Sequence, residues 1–490
     1  MRLLSLLLTL LIAFTFVPYS QALDLPETSL KKPDLAPEQS VSTYLPSESA
    51  PGDGLAVNII SPAKPRYKEG APVVVVAPGG ESASGLEMST HAAQVGCIEV
   101  RFAFPGGGKK KFASSGVYDF RGLLSQEALR DVLLFAAGKL KDVQGRTIGA
   151  LVPVPVLNKN VDLVGWSNGG NIAVITLAKF AEQLPFVNQI VFYESPMNSV
   201  FYPPTLGSSK DLFANPHYRQ GSAATGSCII DYHKLCFDPD AQKNPGAHKK
   251  LGQPEIKGVV FFDENKNKKW DEELEFAIPY CCDVGLEKQI YPPTVTIALV
   301  KSGMFKSIKE WPKHIATLAE SEAYFHERDG SLYFKQLAEA KPNLLVCVIG
   351  TRLDHLQRQP DHPHIPHNYN AWLDHKIKFV RLNPDPVYVG AVAAMNVANF
   401  VDNKPGASVD ADALEAALEP EGLIPDYLFV DAAIAELADR AKTGNMAANL
   451  TAPIVAYKPN TDTASGATKV AVGNKQGSAA KPASNGAKAK

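Results

Sequence analysis

A chain of 490 residues with 45% apolar and 20% charged residues has the composition of a globular protein, long enough for one large domain with insertions or for two or three domains. Its formal charge of −2 argues against a nucleic-acid partner, which would require a basic face. The first 22 residues differ in kind: Arg2 precedes a Leu-rich run from Leu3 to Val17, and Ser20-Gln21-Ala22 offers small residues before a cleavage site. This pattern predicts a signal peptide over 1–22 and a secreted or periplasmic protein; an uncleaved N-terminal anchor is the alternative. No later segment approaches the length of a membrane helix, so no membrane span is expected after signal cleavage. Residues 23–54, rich in Pro, Ser and Glu, read as a linker or loosely docked arm.

From residue 55 onward strands and helices alternate. Val57–Ile60 predicts a strand, and the β-branched run Pro72–Ala77 predicts one buried on both faces of a parallel sheet. The loop that follows it, Pro78-Gly79-Gly80-Glu81, resembles the His-Gly-Gly loop that supplies an oxyanion N–H in many esterases. Cys97–Phe104 is a further strand, and Leu124–Leu140 carries apolar residues at helical spacing. The organising stretch is Val161–Asn171, an apolar run ending in Gly165-Trp166-Ser167-Asn168-Gly169 and passing at once into an Ala/Ile/Leu-rich segment. Strand, sharp turn and helix in that order make a nucleophile elbow, with Ser167 held up as the nucleophile. The N–H of Asn168 stands at the helix start, where it helps hold a developing oxyanion. A last strand of this half is expected at Val187–Tyr193.

These features resemble the α/β-hydrolase family over residues ~55–200 and ~340–440. The resemblance implies a mostly parallel, doubly wound α/β sheet with a serine after the fifth strand, an acid after the seventh and a histidine after the eighth. It divides the chain into a first core part at 55–196, an inserted lid or subdomain at 197–341, a second core part at 342–450 and a tail at 451–490. Within the insert, Val259–Phe262 runs into Asp263, Asn265, Asn267 and Asp271, oxygen ligands at positions 1, 3, 5 and 9 of a loop, with the Lys269 carbonyl at position 7. The stretch is similar to the calcium loops of extracellular β-sandwich repeats. It departs from them at Lys268, where a turn glycine is expected, and at Leu274 in place of an acid; Glu275 or Glu273 would substitute after a local shift. Cys228, Cys236, Cys281 and Cys282 cluster in the same insert and are expected to form at least one disulfide, whereas Cys97 and Cys347 read as buried thiols.

The second half resumes at Pro342–Gly350, placed as the seventh strand, and leads into Thr351-Arg352-Leu353-Asp354-His355, which resembles the acid-bearing loop of the family. Ile377–Leu382 reads as the eighth strand, yet no histidine occurs after His375, so the family's usual base position is empty. Five of the eleven histidines fall between His355 and His375. The base is therefore expected from this loop: His364 first, His362 or His355 otherwise, with Asp354 as orienting acid and Glu194 as an alternative acid. Metal binding by Asp354, His355, Asp361, His362 and His364 is a rival account, though helical zinc spacing is missing. Pro425–Ala441 is expected to be the final helix packing on the sheet, and beyond Pro459 a Gly/Ala/Ser/Asn-rich tail has nothing with which to build a core. The reading is a serine hydrolase that forms an acyl-enzyme on Ser167, acts on a small-molecule or peptide substrate and requires no cofactor beyond a structural calcium. Its oxyanion donors are Asn168, Gly80 and Glu81, and its calcium ligands Asp263, Asn265, Asn267, Lys269, Asp271 and Glu275. A non-catalytic binding protein on a degenerate hydrolase scaffold is the alternative.

Overall fold

The computed structural model describes residues 39–197, 218–219, 229–230, 232–241, 258–350, 364–392 and 426–446, positions 81, 89, 110, 276, 279, 284–285, 308–310, 386 and 390–391 excepted. Eight strands form the central sheet: β1 Gln39–Leu45, β2 Leu55–Ser61, β3 Ala71–Ala77, β4 Ile98–Phe102, β5 Val156–Trp166, β6 Val187–Tyr193, β7 Leu345–Ile349 and β8 Phe379–Leu382. Their order is β1-β2-β4-β3-β5-β6-β7-β8. β2 pairs antiparallel with both β1 and β4, and every other neighbouring pair is parallel. One reversed strand near one edge and a crossover at β3/β4 give the sheet of the α/β-hydrolase type.

The strands obey simple burial logic. β3, Ala-Pro-Val-Val-Val-Val-Ala, is buried at every position, as a strand covered on both faces must be. β5 alternates its inner residues: Val161 and Leu163 join one apolar layer, Val164 the other. The first layer is covered by helices α1 Leu123–Ala136, α2 Gly169–Lys179, α5 Phe334–Ala340 and α6 His364–Asp374. The second is covered by the short turn Ala92–Val95 and the long helix α7 Asp426–Thr443. Residues 39–45, expected within a linker over 23–54, instead form β1. Its alternating outer residues are exposed or half-buried and its ladder with β2 runs from Gln39↔Ser61 to Leu45↔Leu55. Only one half-face had to be apolar, which is why composition alone hid it.

Between β6 and β7 lie the residues of the insert, with a core of their own. The hairpin Leu235–Asp238/Val259–Phe262 packs Phe237, Val260 and Phe262 against Tyr291, Trp311 and Ile315. Helix α3 Pro293–Lys301 completes that core, and α4 Leu318–Arg328 starts with a reciprocal cap in which Thr317 and Glu320 exchange side-chain bonds to backbone N–H groups. The expected disulfides are corrected in part. Cys236 is a buried free thiol packed with Val259, Phe261 and Ala277, and no disulfide occurs among the described residues. Cys228 and the side chains of Cys281 and Cys282 lie outside what is described. Cys97 and Cys347 are buried and free, as expected, and burial pushes the Cys97 thiol up to about 12. The signal peptide over 1–22 and the tail over 451–490 also lie outside the described residues. Among the described residues no helix is long and apolar enough to cross a membrane.

Candidate active site

The parallel strands deliver their C-terminal ends to one edge of the sheet, the edge at which open α/β folds bind ligands. β5 arrives there with Trp166, the chain turns through Ser167, and α2 leaves with Asn168 as its cap. Ser167 has φ 51, in the left-handed region that a non-glycine residue occupies only under constraint. The constraint is visible: Ser167 N–H donates to the Tyr193 carbonyl at 2.8 Å and Gly170 N–H donates to the Ser167 carbonyl at 2.9 Å. The following helix must pass tightly over β3, since a Cβ on Gly169 would stand 2.1 Å from the Ala77 carbonyl oxygen. Glycine there is a steric requirement.

The loop after β3 lies directly against the serine. A Cβ on Gly79 would sit 3.0 Å from Ser167 Cβ and 2.7 Å from the Trp166 carbonyl oxygen. Gly80 adopts φ 68 with open space on the side where a Cβ would project. Asn168 Nδ2 donates to the Gly80 carbonyl at 3.3 Å, tying the two expected oxyanion segments together. Gly79 N–H donates to Met88 Sδ at 3.1 Å and is thereby occupied, so Gly80 N–H and Asn168 N–H stay the expected oxyanion donors among the described residues. The third expected donor, Glu81, lies outside the described residues.

His364 opens α6 and is buried at 1% exposure. α6 returns from the end of β7 to the start of β8, so its first turn lies at the same sheet edge as Ser167. Gly350, just past β7, is in close contact with Ile365 there. Asp354, His355 and His362 lie outside the described residues, as does Asp361 of the rival metal reading. Glu194, the alternative acid, follows β6 with φ 44 and 1% exposure, and its N–H donates to the Ile349 carbonyl at 3.0 Å. At the tip of β8, where the family resemblance implies a histidine, stands Asn383. Its side chain accepts from Gly350 N–H at 3.0 Å and donates to the Gly350 carbonyl at 3.2 Å, stapling β7 to β8. A residue so engaged is structural.

The Asp263 loop is held by its own side-chain to backbone bonds. Asp263 Oδ1 and Oδ2 accept from the N–H groups of Asn267 and Lys268, both at 3.2 Å, and Asn265 Oδ1 accepts from Asn267 N–H at 2.9 Å. Lys268, at the expected glycine position, itself takes φ 61. Leu274 at position 12 points to solvent, and Glu275 one residue later folds back, accepting from Glu264 N–H and Asp271 N–H at 3.0 and 2.9 Å. Lys269 Nζ binds Asp238 and Asp240 at 3.2 and 2.8 Å. Asp263, Asp271 and Glu275 are not gathered into one ligand set, and no group of three His, Cys, Asp or Glu able to hold a metal occurs among the described residues.

Residues that motif reading passes over complete the site. Met88 and Arg121 bond to the loop at 78–80 directly, Asn171 bonds to Asn168, and Arg328 bonds to the Asp119 carbonyl; Met88, Arg121 and Arg328 stand at chain positions that carry no recognisable pattern.

No protein-family model matches the chain, and no curated protein matches it. Among solved structures the chain is similar to brefeldin A esterase, described as a bacterial homologue of human hormone sensitive lipase. The identity is 12% and the TM-score 0.33, over 83% of this chain and 78% of that one. It is similar to the esterase Est22 at 9% identity and TM-score 0.34, over 75% of this chain and 80% of that one. A bacterial heroin esterase gives 14% identity and TM-score 0.23, over 34% of this chain and 47% of that one. The strand order and the strand-to-helix elbow define the fold.

Proposed function

We propose that the protein is a serine hydrolase that cleaves an ester or peptide bond of a small-molecule or peptide substrate through an acyl-enzyme on Ser167. The observation that carries the reading is the left-handed Ser167 at a strand-to-helix turn, with Gly79 packed against its Cβ. In the first step Ser167 Oγ bonds to the carbonyl carbon and the carbonyl π electrons move to oxygen. Gly80 N–H and Asn168 N–H receive that oxyanion. The serine proton passes to a histidine, for which His364 is the buried candidate at this edge, with Asp354 or Glu194 as its acid and His362 or His355 as its substitutes. Collapse expels the leaving group, which takes the proton, and water then releases the acyl group by the same route reversed.

Labelling with a fluorophosphonate probe tests this. The expected result is one covalent adduct on the peptide containing Ser167, on a secreted chain whose N-terminus is Leu23. A correctly folded wild type that never labels would hand the site to the alternative reading, a binding protein on a hydrolase scaffold.

The insert adds a structural element to this reading: calcium held by the Asp263 loop. Asp263, Asn265, Asn267, the Lys269 carbonyl, Asp271 and Glu275 would be the ligands, and calcium would have to draw Glu275 away from the N–H groups it now accepts from. That rearrangement keeps affinity low, with Kd on the order of 10⁻⁴–10⁻³ M. Calcium at about ten times Kd is then expected to stabilise by roughly 1–2 kcal/mol, read as a Tm rise of a few degrees. Asp263→Ala with Asp271→Ala is expected to abolish the rise; a wild-type Tm indifferent to millimolar calcium would retire the idea.

A further inference from the structure

Ahead of α1 the chain turns through two consecutive non-glycine residues in the left-handed region, Phe120 at φ 53 and Arg121 at φ 67. Glycine would occupy such a position without strain, so an arginine kept there has work for its side chain. Arg121 is 4% exposed. Its Nη1 donates to the Pro78 carbonyl at 2.6 Å and its Nη2 to the Gly79 carbonyl at 2.7 Å, and the guanidinium lies 5.0 Å over the Phe104 ring. Nε meets no acceptor, and no carboxylate pairs with the guanidinium among the described residues. A buried cation bonded only to neutral carbonyls is costly, and a negative charge that forms during turnover would offset part of that cost.

The loop geometry says where that charge forms. A peptide group is planar and trans, so holding a C=O on one side aims the N–H of the next residue to the other. Fixing the Pro78 carbonyl directs Gly79 N–H, which donates to Met88 Sδ. Fixing the Gly79 carbonyl directs Gly80 N–H, in the loop that packs on Ser167. The arginine turn is held in its own right from the insert. Arg328, 3.8 Å over the Tyr324 ring, donates through Nε to the Phe120 carbonyl and through Nη2 to the Asp119 carbonyl, both at 2.8 Å. A second route runs beside it: Gly330 N–H donates to Asn171 Oδ1 at 2.9 Å, Asn171 Nδ2 to Asn168 Oδ1 at 3.2 Å, and Asn168 Nδ2 to the Gly80 carbonyl.

We propose that Arg121 is a positioning residue of the oxyanion site, aiming Gly80 N–H at the reacting carbonyl and supplying the unpaired positive charge that the oxyanion balances. Arg328 holds it in place from the insert. This rests on the serine-hydrolase reading. The test is kinetic, with a p-nitrophenyl ester as substrate and a trifluoromethyl ketone as an analogue of the tetrahedral adduct. Arg121→Gly, which suits the left-handed backbone, is expected to lower kcat by about 10²–10³, the scale of losing one oxyanion donor. KM should stay within about twofold, and Ki of the ketone should rise by the factor by which kcat/KM falls, since only transition-state binding is lost. Added guanidinium ion is expected to restore part of the rate, and Arg121→Lys to fall between. Arg328→Met should show a smaller loss with the same split, and reads the same route should Arg121→Gly fail to fold. Full kcat and unchanged ketone affinity in both variants, with an active wild type, overturn the proposal and leave the hydrolase reading standing. A wild type that neither labels nor turns over removes both.

Discussion

Replacing Ser167 with alanine is expected to remove covalent labelling completely and to lower kcat by roughly 10⁴–10⁶, with a Tm close to that of the wild type. The fold should tolerate the change because alanine keeps the Cβ that packs against Gly79, and the bonds that fix the turn come from the Ser167 backbone N–H and carbonyl. His364→Ala is the companion. If His364 takes the serine proton, its loss alone should cost nearly as much, and the double variant Ser167→Ala/His364→Ala should be no slower than Ser167→Ala. Residues that act as a unit fail together and their losses do not add. Multiplicative losses, or a His364→Ala variant with near-wild-type turnover, would reject His364 as the base. Screening His362→Ala and His355→Ala would then be the next step.

What could be read in the sequence and what could not separate along one physical line. Local patterns survive in sequence: the Val-rich β3, the Gly-x-Ser-x-Gly elbow and the seventh and eighth strands all carry their signal within a few residues. The β1 edge strand does not, because Ser-Val-Ser-Thr-Tyr-Leu alternates only weakly and sits amid prolines. The Asp263 loop was legible as a pattern, while the fold-back of Glu275 past the exposed Leu274 depends on backbone N–H groups at 264 and 271 that no spacing rule names. Arg121 was invisible for a stronger reason. Its partners stand more than 40 positions away, and the link exists only because the turn before α1 and the loop after β3 meet at one sheet edge. The missing histidine after β8 was legible; that Asn383 is engaged in stapling β7 to β8 required coordinates.

Asp162→Asn is expected to stabilise the protein at pH 8 and to do little at pH 4. Asp162 lies in mid-β5, fully buried on the face covered by α7, and neither carboxyl oxygen has a side-chain partner among the described residues. Burial pushes its carboxyl up to about 8 from an ordinary value of 3.8, against a smaller opposing effect of the Leu163 N–H. The groups around it are poor company for a negative charge. Gln189 is its register partner on β6 and Val74 on β3, and its charge bears on the thiols of Cys97 and Cys347, themselves held protonated by burial. Farther along α7 the charges are already paired, Arg66 with Asp439 and Arg440 with Glu436. Below pH 3.8 both folded and unfolded chains keep the proton. Between 3.8 and about 8 the unfolded chain has released it and the folded one has not, so stability falls as pH rises through that window and levels off above it. At about 1.4 kcal/mol per decade, the full fall is on the order of 5 kcal/mol, a large share of the net stability of a domain. Asparagine is neutral throughout and offers an N–H toward Gln189 Oε1, which has no donor among the described residues. The difference in Tm between Asp162→Asn and wild type should therefore grow steadily from pH 4 to pH 8, reaching on the order of 10 °C. Melting curves that run parallel across that range would show that Asp162 ionises normally in the fold, and that the buried face of β5 admits water or a counter-charge.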